Sequence, residues 1–115
     1  MKNYFVFYTD LFIPKRFNGL TVAFLIFLRP GVKGETDLLE HEKIHVNQFW
    51  RTLGLNGLFY KLSKKYRLNY ELEAYRKQLE FCVNKEYATN LFATYLSTNY
   101  NLNLTYDEAK ELLKK

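Results

Sequence analysis

Two kinds of hydrophobic spacing divide the chain. Residues 3–8 ("NYFVFY") and 20–29 ("LTVAFLIFLR") are short runs of aromatic and β-branched residues, whereas beyond residue 37 the apolar positions recur every three or four residues. The first pattern predicts two strands, read as an antiparallel pair, with the Asn18-Gly19 turn signal just ahead of the second. Pro14 and the length of the intervening segment predict an irregular loop in place of a tight hairpin. Pro30-Gly31 and Gly34 close the second strand. Thr36 is then placed as an N-cap with Asp37 and Glu40 in the first turn, and a helix is predicted from Asp37 to Leu53, stopped by Gly54. One face of it carries Leu38, His41, His45 and Gln48, and a neighbouring face carries Leu39, Val46, Phe49, Trp50 and Leu53.

Residues 57–66 read as a short helix with Leu58, Phe59 and Leu62 inward and its lysines outward. Asn69 is placed as the cap of a long helix opening "YELEAYRKQLEF", with a break near Asn84 or Asn90 before "LFATYL". Thr105 with Glu108 spells a capping box for a last helix, "YDEAKELLKK". The expected fold is α+β: a small antiparallel sheet packed on one helix, which is crossed by a second helix bearing glutamates.

Composition narrows the class. At 115 residues, 48% hydrophobic and 18% aromatic, the chain fits one packed domain and excludes extensive disorder. Cys82 is the single cysteine, so no internal disulfide forms, and a buried thiol is expected. The longest apolar run, Leu20 to Leu28, is shorter than a spanning helix needs, and no small-residue cleavage site follows the aromatic start, which predicts a soluble cytoplasmic protein. The formal charge is +5, with the excess at Lys61, Lys64, Lys65 and Arg67 and at Lys110, Lys114 and Lys115. Such a surface suits nucleic acid or an anionic membrane, and a solvated helix face is the ordinary reading.

The chemistry is concentrated in "HEKIHVNQFW", residues 41–50, which holds both histidines of the chain. Four residues apart on a helix, His41 and His45 present two imidazoles to one ion at zinc-binding distances of about 2.0–2.1 Å. Glu42, rotated by about 100° from His41, would flank a metal without ligating it, where a general base belongs. Two histidines at this spacing with a glutamate after the first arise by chance on the order of once in a thousand arrangements. A catalytic zinc needs a third protein ligand and an open position. With no third histidine and a distant cysteine, a carboxylate remains, and "NYELEAY" supplies Glu71 and Glu73 on the second helix. Two residues apart, they cannot both face the metal. Glu71, which shares a face with Ala74 and Tyr75, is preferred over Glu73, with Glu80 a remote third; the small Ala74 would let the two helices approach closely.

HExxH followed by a helical E-x-E-A resembles the gluzincin metallopeptidases, and at this length the minimal soluble minigluzincins, over about residues 20–80. The resemblance implies a single zincin-like domain over 1–115, a peptide or protein substrate, a Zn²⁺ cofactor on His41, His45 and Glu71, and Glu42 as general base. The glutamate opening the family's E-x-x-A-D motif falls on Glu71 in "ELEAY", and the chain departs from that motif at Tyr75, where the family has an aspartate supporting a ligand histidine. Loss of that carboxylate weakens histidine orientation unless another group substitutes. Tyr66, Tyr70 and Arg67 are candidate oxyanion donors. The strand edge at Thr21 to Leu28 is a candidate for β-addition of substrate.

Two further readings stand beside the enzyme. In one, the zinc site is structural or lost, and the basic aromatic surface binds a protein or nucleic acid. In the other, the enzyme is latent, with the segment from Asn99 onward covering the site, a property that the resemblance implies.

Overall fold

The computed structural model describes residues 3–115; Met1 and Lys2, which open the segment read for a leader, lie outside the described residues. Three strands, β1 (Phe5–Tyr8), β2 (Gly19–Val22) and β3 (Leu25–Leu28), precede five helices: α1 (Thr36–Arg51), α2 (Asn56–Leu62), α3 (Lys64–Leu79), α4 (Lys85–Thr98) and α5 (Tyr106–Lys114). The architecture is α+β, with the sheet on α1 and α1 packed on α3.

The sheet is mixed, not antiparallel as the sequence pattern predicts. Its order is β1-β3-β2: β3 pairs antiparallel with β2 and parallel with β1, in the register Phe5 to Leu25 and Tyr8 to Leu28. The apolar run 20–29 is two strands, folded at Ala23 and Phe24, where Ala23 adopts a left-handed φ of 57°. No glycine or asparagine marks that turn, so hydrophobicity runs through it unbroken. Arg29 organises the loop between β1 and β2. Its guanidinium donates to the carbonyls of Ile13, Pro14 and Phe17 at 2.9–3.1 Å and pairs with Asp10 at 3.2 Å.

Alternation in β3 sends Ile26 and Leu28 inward onto Val46 of α1, a small core of fully buried side chains. A larger core joins Leu72 and Tyr75 of α3 to Ala88, Phe92, Ala93 and Leu96 of α4, with Tyr100 and Ala109 and Leu113 of α5. Ala74, fully buried, sits on the α3 face with Glu71 and Tyr75.

Several helix starts differ from expectation. Glu35, not Thr36, occupies the N-cap of α1. Helix α3 begins five residues before Asn69, capped by Ser63, whose hydroxyl accepts from the Tyr66 amide at 3.3 Å. Asn84 caps α4, and the Thr105–Glu108 capping box forms in full. Helix α2 exposes Leu58 and Leu62, which the pattern turns inward, while Phe59 is half-buried, Lys61 faces outward as expected and Tyr60 turns toward the protein.

Candidate metal centre

Helix α1 buries His41, Glu42 and Gln48, and α3 buries Glu71 opposite them. His41 and His45 lie one turn apart with their Nε2 atoms 3.3 Å from each other. Glu71 Oε1 is 3.4 Å from His41 Nε2 and 3.2 Å from His45 Nε2. The three atoms form a nearly equilateral triangle. A regular tetrahedron with bonds of about 2.0–2.1 Å has edges of about 3.3–3.4 Å, so this triangle matches in size the face that three ligands of a tetrahedrally coordinated ion would form. Glu71 Oε1, buried and without a hydrogen-bond donor of its own, has the chemistry of a cation ligand.

Each of the three side chains is held from behind, though unequally. His45 Nδ1 lies 2.9 Å from Gln48 Oε1, an acceptor that keeps a proton on Nδ1 and leaves Nε2 as the nitrogen a metal would take. Gln48 in turn donates to the Tyr70 carbonyl at 3.0 Å and to Glu73 Oε1 at 2.9 Å, and Arg51 clamps Glu73 with two bonds of 2.8 and 2.9 Å. Glu71 Oε2 accepts from the Tyr60 hydroxyl at 2.7 Å, so the carboxylate offers a single oxygen to the triangle. His41 is set by shape: its ring meets Tyr75 edge-on at 4.3 Å, while its buried Nδ1 has no protein partner.

Electrostatics follow from this packing. Burial disfavours a charged His45, but the facing Glu71 carboxylate overrides it and raises the imidazole to about 10. Burial likewise opposes the Glu71 charge, and the two histidines outweigh it, holding that carboxyl well below the usual range. Desolvation and the neighbouring Glu71 push the Tyr60 hydroxyl far up, so it remains a donor.

Glu42 stands apart from the triangle. Its Oε1 accepts from Thr21 Oγ1 of β2 at 2.8 Å, and a side chain at Gly19 would meet its Oε2. His41, Glu42, His45 and Glu71 open into a cavity of about 380 Å³, walled by Phe17, Tyr60, Tyr75, Leu91, Phe92, Tyr95 and Tyr100.

The structure thus brings together His41, His45 and Glu71, and leaves Glu73 and Glu80 outside the triangle. Glu73 is engaged by Arg51 and Gln48, and Glu80 lies near Lys77 on the surface. None of Tyr66, Tyr70 and Arg67 lines the cavity, and Arg67 is spent on backbone carbonyls of Tyr60, Lys61, Tyr100 and Asn101. Tyr60 and Thr21 were not signalled by any motif. Gln48 was, since it lies three residues beyond His45 on the same face. Of the C-terminal segment only Asn99 and Tyr100 line the cavity, while α5 completes the core.

Comparison with protein-family models, with curated proteins and with solved structures gives no match. No helix among the described residues is long and apolar enough to cross a membrane.

Proposed function

We propose that this protein is a zinc-dependent hydrolase of peptide bonds, with Zn²⁺ held by His41, His45 and Glu71 and with Glu42 as general base. The observation that carries the reading is the triangle of ligand atoms with edges of 3.2–3.4 Å, beside a buried glutamate in the following position. Zinc there would supply Lewis acidity and lower the pKa of an attacking water to about 7.

The remaining work falls to the chain's own groups. Thr21 holds one oxygen of Glu42, which leaves the other to take a proton from water and return it to the departing amine. β3 is paired on both sides, and of the two edge strands, β1 and β2, it is β2 that lines the cavity, through Gly19 to Thr21. An extended peptide on that edge would lie beside Glu42. The aromatic wall favours an apolar side chain next to the scissile bond, and the tyrosines that line the cavity replace Tyr66, Tyr70 and Arg67 as donor candidates.

Glu42→Gln tests the reading. Against a mixture of unstructured fluorogenic peptides, the zinc-loaded variant is expected to lose activity by on the order of a hundredfold or more while keeping its zinc. An unchanged rate overturns the assignment.

A metal site without catalysis is the second reading, favoured by one observation: His41 Nδ1 lacks the carboxylate that the gluzincin pattern would put at position 75. Stoichiometric zinc with no hydrolysis in the wild type would select it. Of the basic segment, Arg67 is engaged within the protein, and Lys61, Lys64 and Lys65 are exposed.

A further inference from the structure

Helix α2 turns its leucines away from the protein. Leu58 is 53% exposed and Leu62 75%, and the preceding turn adds Leu53 at 89% with Leu55 half exposed. At about 100° per residue, positions 55, 58 and 62 fall within roughly 60° of arc, and Tyr60 falls on the opposite side, where it reaches Glu71. The helix is amphipathic with its apolar face outward. None of the four leucines lines the site cavity.

Along the chain, the charge flanking these leucines has one sign. From Lys43 to Tyr70 the chain contains no aspartate or glutamate. Arg51 and Arg67 are occupied, as described, but Lys61, Lys64 and Lys65 are exposed and form no ion pair among the described residues. Lys61 lies beside Leu58 on the helix, and the two others open α3. Next to them Tyr66, partly exposed, stacks on Phe59 at 5.1 Å, an apolar ring with a polar tip.

We propose that the α1–α2 turn, α2 and the first turn of α3 form a docking surface for an anionic lipid membrane. The leucines enter the boundary of headgroups and acyl chains, and the three lysines meet the anionic headgroups. A protein partner would need carboxylates at three fixed places and hollows for separate leucines. A fluid anionic surface supplies charge wherever the lysines fall and accepts protruding side chains without a matching pocket. Asn56, Gly57 and Tyr60 line the cavity from the opposite side of the same helix, so docking through the leucines leaves the cavity uncovered. This proposal does not depend on the metal.

The test is co-sedimentation of the full chain with vesicles of phosphatidylcholine alone or with about one third phosphatidylserine, in chelator and in zinc. The expected result is binding to the anionic vesicles, with or without metal, that weakens steeply with salt. Replacing the three lysines together (Lys61→Gln, Lys64→Gln, Lys65→Gln) is expected to weaken it by on the order of a hundredfold. The pair Leu58→Ser and Leu62→Ser is expected to weaken it at least about tenfold. All five side chains are exposed, so the melting temperatures of both variants are expected to match the wild type. No binding to anionic vesicles, equal binding to both kinds, or full binding by either variant overturns the proposal. A dimer in sedimentation that the leucine pair abolishes, without vesicle binding, overturns it in favour of a second copy of the chain.

Discussion

The Tyr60 hydroxyl donates to Glu71 Oε2 at 2.7 Å, so one helix fixes which oxygen of another helix's carboxylate faces the two histidines. Tyr60→Phe removes the donor and keeps the ring. The freed carboxylate can then rotate, and zinc affinity is expected to fall about tenfold to a hundredfold, as measured by competition with a chromogenic chelator. Glu71→Ala is expected to lose zinc altogether.

Gln48 links His45 to Glu73 and, through it, to Arg51. Gln48→Leu is expected to weaken zinc binding by a similar factor and to change the visible spectrum of the cobalt-substituted protein, because His45 loses the acceptor that orients it. Glu73→Gln leaves the triangle complete. It is expected to retain one zinc per chain, in contrast with Glu71→Ala.

The metal-free protein has a pH profile set by the same carboxylate and imidazole. His45 is raised from 6.5 to about 10, so its contribution to stability is full below 6.5 and disappears as pH rises through about 10. Glu71 is depressed, so its contribution is full above about 4.5 and is lost only as pH falls far below that. Melting temperatures in chelator are therefore expected to be highest between about 4.5 and 6.5 and to decline toward alkaline pH. Zinc competes with the proton on His45, so the rise in melting temperature on adding zinc is expected to be larger at pH 8 than at pH 6.

Gly19 is where β2 passes closest to Glu42. A Cβ there would sit 2.9 Å from Leu28 Cδ2 and 3.1 Å from Glu42 Oε2. On the proposed function, Gly19→Ala is expected to keep zinc stoichiometry while lowering kcat on peptide substrates by on the order of tenfold to a hundredfold, since the displaced carboxylate would no longer meet the water correctly.

What the sequence made legible was whatever depended on local spacing. His41, His45 and Gln48 share a face because of helical periodicity, and the cap at Thr105 is a four-residue pattern. The preference for Glu71 over Glu73 followed from the face it shares with Ala74. What escaped was decided at a distance. The parallel pairing of β1 with β3 depends on a turn at Ala23 without a turn residue and on a loop held by Arg29. Tyr60 reaches Glu71 only because α2 is rotated against its apparent hydrophobic pattern, which no propensity encodes.

The contact between α1 and α3 is fastened mainly by polar groups: Gln48 on the Tyr70 carbonyl, Arg51 on Glu73, Gln78 on Asp37, and the two histidines on Glu71. The sheet core lies on one side of this line, and the α3–α5 core lies on the other. An ion spanning His41, His45 and Glu71 would therefore rivet two half-molecules whose greasy interiors scarcely mix. Withdrawing it would remove that tie and loosen the α1–α3 contact first.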